Sequence, residues 1–70
     1  MTIDEAVSIV KKKHPDARIM YEEDSIGCGY YIEATYGVLS KTIWDSDKAQ
    51  AQINAWLDAA NTILTDMQYD

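Results

Sequence analysis

From residue 45 to residue 67 the apolar side chains return every three or four positions, at Ala49, Ile53, Trp56, Leu57, Ala60, Ile63, Leu64 and Met67. This period gathers them on one stripe of an α-helix and leaves Lys48, Gln52, Asn54, Asp58, Asn61 and Thr65 on its other faces. Asp45 or Ser46 is expected to cap it. A shorter helix is predicted at the start of the chain. There Thr2-Ile3-Asp4-Glu5 has the form of a capping box, and Ile3, Ala6, Val7 and Val10 make an apolar face with Ile9 at its edge. Lys11, Lys12 and Lys13 complement the dipole in the last turn, and Pro15 forces His14 out of helical geometry, so this helix should end near Lys13.

Between the helices the period drops to two. Residues 17–23 alternate, with Ala17, Ile19 and Tyr21 on one face and Arg18, Met20 and Glu22 on the other. The run 24–29 is too rich in turn formers to continue that strand. Strands are predicted at 30–35 and 38–44, joined by a two-residue connection at Tyr36-Gly37 in which Gly37 takes a positive φ. That turn would set Ala34 opposite Leu39, Ile32 opposite Lys41 and Tyr30 opposite Ile43. Tyr30, Ile32, Ala34, Leu39 and Ile43 then face the helices with Ile19 and Tyr21, while Tyr31, Glu33, Thr35, Val38, Ser40, Thr42 and Trp44 face outward. Lys41 is the misfit in this register. The expected architecture is a single α+β domain over residues 1–70, α-β-β-β-α, with a three-stranded antiparallel meander and two helices packed on one face.

Seventy residues leave little interior for a catalytic cleft. The net charge of −6 opposes non-specific attraction to nucleic-acid phosphates and anionic membranes, and favours a protein partner with a basic surface. In the predicted topology Asp4, Glu5, Glu22, Glu23, Asp24, Asp45 and Asp47 collect at one end of the domain, opposite Lys11, Lys12, Lys13, His14 and Arg18. The single cysteine, Cys28, cannot form an intrachain disulfide, and one Cys with one His cannot make a closed zinc site. No leader pattern opens the sequence, and no apolar run approaches the roughly 20 residues that span a bilayer, so a cytoplasmic location is expected.

Two stretches invite a chemical reading. Gly27-Cys28-Gly29 would expose a thiol, but a nucleophilic cysteine needs a positive neighbour, and Glu22, Glu23 and Asp24 surround this one. Asp45-Ser46-Asp47 begins like a calcium loop, yet Gln50 and Trp56 stand where the loop requires glycine and glutamate. No catalytic, metal or cofactor residue is therefore assigned, and an enzyme is not expected. The outward sheet face is richer, because Met20, Tyr31, Val38 and Trp44 alternate there with Arg18, Glu22, Glu33 and Thr42. The candidate protein-binding residues are Met20, Glu22, Glu23, Asp24, Tyr31, Glu33, Trp44, Asp45 and Asp47. A homodimer through the same face is an alternative that would give a small domain additional core.

The element order resembles that of double-stranded RNA-binding domains, which implies a nucleic-acid-binding module as an alternative, and in this chain such a module would use Lys11, Lys12, Lys13 and Arg18. The start of the last helix departs from that pattern, since it carries Asp45 and Asp47 where those domains place lysines. The segments His14-Pro15-Asp16-Ala17-Arg18-Ile19 and Ala55-Trp56-Leu57-Asp58-Ala59-Ala60-Asn61-Thr62-Ile63-Leu64 resemble parts of short acidic accessory proteins of tailed phages and prophages. That resemblance implies a binding protein that blocks or modulates a host protein, and it carries over no site residue.

Overall fold

The capping box at the head of the chain starts α1, Ile3–Lys13, in the computed structural model, which describes residues 1–23, 25 and 27–69, with side chains as far as 66. The Thr2 hydroxyl accepts from the Glu5 amide at 3.2 Å and donates to the Glu5 carboxylate at 3.3 Å. The helix closes at His14, whose amide donates to the Val10 carbonyl at 2.8 Å. Ala6 and Val10 are fully buried, and Ile9 packs against the same core. The chain then runs through β1, Arg18–Glu23, and β2, Cys28–Ala34, into two short strands, β3, Gly37–Val38, and β4, Ile43–Trp44, before α2, Lys48–Tyr69.

All pairings are antiparallel, with β2 between β1 on one side and β3 and β4 on the other. The α-β-β-β-α order and the meander hold, but the third strand is broken. Near the turn Glu33 pairs with Val38 and Ala34 with Gly37, whereas farther along Tyr30 pairs with Ile43 and Gly29 with Trp44. Residues 31 and 32 of β2 thus face the four residues 39–42 across the ladder, a bulge in the broad sense. The predicted register holds at Tyr30 and Ile43 and fails nearer the turn. The loop is Thr35-Tyr36 rather than Tyr36-Gly37, and Gly37 takes the expected positive φ, at 146°.

The bulge resolves the Lys41 misfit by lifting that side chain into solvent. It also turns Ser40, expected outward, into the interior, where it is 5% exposed. Its hydroxyl accepts from the buried Ile32 amide at 2.8 Å, while the Leu39 amide donates to the Ile32 carbonyl at 2.8 Å. A side-chain oxygen thereby replaces the backbone carbonyl lost to the interruption. Past the interruption the pairing with β2 restores the expected faces, with Ile43 inward and Trp44 outward.

The core lies between β2 and the two helices and is built from Ala6, Val10, Ala17, Ile32, Ala55, Ala59, Ala60 and Ile63. On α2 the buried line is Ala51, Ala55, Ala59, Ala60 and Ile63, and Ala49, expected on the apolar stripe, is exposed. The reason is geometric. The helix meets α1 on one flank and β2 on another, so its smallest side chains take the closest approach, while Trp56 and Leu57 close the margins. Asp47, not Asp45 or Ser46, caps α2, its carboxylate accepting from the amides of Ala49 at 3.0 Å and Gln50 at 3.3 Å. Asp45 instead accepts from the Asp47 amide at 2.9 Å.

One tie was not foreseen. The Asp16 carboxylate accepts from both the amide and the hydroxyl of Thr35, fastening the α1–β1 turn to the hairpin loop. Those two hydrogen bonds hold the Asp16 carboxyl below its ordinary pKa.

Candidate protein-binding surface

Strand alternation places Arg18, Met20 and Glu22 of β1 beside Glu33, Tyr31 and Gly29 of β2 on the face turned away from the core. Val38 and Trp44 extend this face across the far strands, through their pairings with Glu33 and Gly29. Met20 and Tyr31 are half-buried by their neighbours, while Val38 and Trp44 are 62% and 47% exposed.

Gly29 shapes the middle of this surface. A Cβ added there would lie 2.7 Å from Thr42 Cγ2, 2.9 Å from the Ile43 carbonyl oxygen and 3.1 Å from Trp44 Cδ2. The missing side chain is therefore a notch, into which the Thr42 methyl and one edge of the Trp44 indole settle. Thr42 reaches across it to Glu22, donating to that carboxylate at 2.8 Å. Cys28 and Gly29 belong to β2 and not to a turn, and a short side chain opposite tryptophan was the available sign of it.

The polar members of the face are tied to their neighbours. Arg18 donates to Glu33 at 2.7 Å and to the Asp16 carbonyl at 3.4 Å, with half of its side chain still exposed. Such an exposed pair adds little to stability, but it fixes where charge sits beside Tyr31 and Met20.

The nine predicted binding residues do not form one patch. Met20, Glu22, Tyr31, Glu33 and Trp44 share the outward face, whereas Asp45 and Asp47 serve the start of α2. Glu23 pairs with Cys28 on the helix side of the sheet and accepts from the Tyr21 hydroxyl at 3.1 Å. Asp24 lies outside the described residues.

Tyr21 itself was expected in the core but is 48% exposed, because it lies on the edge strand β1, which the helices barely reach. Its ring meets Tyr30 edge-on at 5.4 Å. A hydrogen bond with Cys28, then burial, then Glu23 push its hydroxyl up to about 12.

The four cations named for nucleic-acid contact are divided as well. Arg18 is on the outward sheet face, while Lys11, Lys12 and Lys13 end α1. Lys12 and Lys13 border an apolar groove of about 400 Å³ with Ile9, Ile63 and Leu64. Among the described residues no three His, Cys, Asp or Glu side chains gather as a metal site, and no helix is long and apolar enough to cross a membrane. Comparison of the chain with protein-family models, curated proteins and solved structures finds no match.

Proposed function

We propose that this chain is a small non-enzymatic binding protein of phage or prophage type, which inhibits or modulates a host protein by occupying a basic surface. The observation that carries the reading is Trp44, held half exposed over Gly29 on a sheet face that both helices leave uncovered. An aromatic fixed by packing on one side and open on the other supplies contact area with little conformational entropy left to lose, the property that makes tryptophan frequent at interface centres.

Met20, Tyr31 and Val38 provide further apolar area, and Glu22 and Glu33 stand among them. Asp45 and Asp47 lie just past β4 in the chain. With a net charge of −6, the chain as a whole supports steering toward a basic partner and therefore association that slows as salt rises.

The test is capture from bacterial lysate by tagged protein, comparing wild type with Trp44→Ala after circular dichroism shows that both fold. The expected result is a stoichiometric partner retained by wild type and weakened by at least about tenfold in the variant, as for a residue at an interface centre. A partner held equally by folded Trp44→Ala, or none from any lysate, would refute the reading.

A further inference from the structure

The two edges of the sheet are finished differently. Beyond β2 lies an edge made of two short strands parted by the 39–42 bulge, in which Lys41 is exposed. Short strands, bulges and charged side chains, lysine above all, are devices that keep a sheet edge from pairing with another chain. The opposite edge, β1, is paired with β2 without interruption from Arg18 to Glu23 and contains no proline, glycine, lysine or bulge; its charges, Arg18, Glu22 and Glu23, are of both signs and can therefore complement as well as repel a second strand.

The outward backbone groups of β1 follow from its neighbour. Ile32 turns its N–H toward Ser40 and its C=O toward Leu39, both away from β1. In an antiparallel ladder its partner Ile19 then also points its own groups away from β2. Ile19, Tyr21 and Glu23 therefore present N–H and C=O groups along the free edge.

We propose that β1 pairs antiparallel with β1 of a second copy of this chain, about a two-fold axis at Met20, merging the two sheets into one. In this register Arg18 opposes Glu22 of the second copy, twice by symmetry, and Ile19 opposes Tyr21 on the helix side. Opposite charges, and an aromatic against a β-branched residue, are favoured cross-strand pairs. The Ile19–Tyr21 positions are those that exchange hydrogen bonds, and the Met20 and Arg18–Glu22 positions are those where side chains come closest.

Neighbouring registers lack this match. With Tyr21 on the axis, Glu22 meets Met20 and Glu23 meets Ile19; with Glu22 on the axis, like charges meet. Arg18 keeps enough exposure to hold Glu33 of its own chain and a second carboxylate together. The pairing does not depend on any other partner, and it sets two outward faces side by side.

Sedimentation equilibrium over a dilution series up to millimolar protein tests this, with circular dichroism confirming the fold of each variant. Wild type is expected to pass from monomer to dimer. Arg18→Glu and Glu22→Arg should each weaken the dimer roughly tenfold by setting like charges opposite, and the double variant should recover it. In a Cys28→Ala background, Met20→Cys should cross-link under mild oxidation much faster than the more exposed Val38→Cys. Monomer at every concentration would overturn the proposal, as would a dimer indifferent to both charge reversals. Equal cross-linking through Val38→Cys would overturn it too, by placing the seam on the open face.

Discussion

Replacing Ser40 by alanine removes one oxygen from the centre of the sheet. The Ile32 amide that donates to it at 2.8 Å belongs to a residue with no exposed surface, so water cannot take over without opening the bulge. A buried donor left without an acceptor costs about 1–3 kcal/mol. For a domain of 70 residues the total stability is roughly 4–10 kcal/mol, from about 0.05–0.15 kcal/mol per residue. One hydroxyl thus accounts for a sizeable fraction of it.

Urea unfolding followed by tryptophan fluorescence should show a lower midpoint with an unchanged slope. The melting temperature should fall by about 4–8 °C for each kcal/mol lost. Hydrogen exchange supplies an independent reading, since the Ile32 amide should lose protection selectively in Ser40→Ala. Ser40→Cys, which keeps the shape with a weaker acceptor, should fall between the two. A loss below about 0.5 kcal/mol, the range of an ordinary surface change, with Ile32 still protected, would refute the assignment of Ser40 as the bond that holds the interruption together.

Gly29→Ala should destabilise the fold by about 1–3 kcal/mol through overpacking against the Ile43 backbone, and should shift Trp44 emission; unchanged unfolding and emission would contradict the notch. Asp16 has a folded pKa below its ordinary 3.8, so its contribution is full above that value and is lost as pH falls through the folded pKa. Asp16→Ala should flatten this acid limb in urea midpoints measured against pH, and an identical limb would remove Asp16 from the account. Tyr21 has the opposite sign. Its folded pKa is raised, so its contribution is full below pH 10.0 and is lost as pH rises toward 12. Phenolate absorbance in Cys28→Ala should show one tyrosine titrating lower than in wild type, and coincident curves would exclude the thiol as the main cause.

Periodicity made the helices legible because each has one face to bury and a recognisable start, the capping box at Thr2 being the clearest case. The inward set of Ile19, Tyr30, Ile32, Ala34, Leu39 and Ile43 was legible for the same reason. The bulge was not, since residues 38–44 alternate well enough to pass for one strand, and only the lysine at an inward position marked the fault. The cap of α2 was missed because three successive positions, Asp45, Ser46 and Asp47, all carry capping side chains, and the turn made by Asp45 decides which one is in place. The Asp16–Thr35 tie joins turns far apart in the chain, and no local pattern reports such a contact. Of the candidate surface, alternation brought out the Met20, Tyr31 and Trp44 face, while the exposure of Trp44 required knowing that Gly29 lies beneath it.

The interrupted strand also bears on how this chain tolerates changes in length. Leu39 and Ser40 bond the segment to Ile32, and pairing resumes only at Ile43 and Trp44. A residue gained or lost between Ser40 and Ile43 falls where the strand is already open, whereas one gained or lost between Val38 and Ser40 carries the hydroxyl away from the Ile32 amide. Changes of length that survive in this segment should therefore gather on the Lys41 side of Ser40, a constraint on the history of the sequence set by one buried amide.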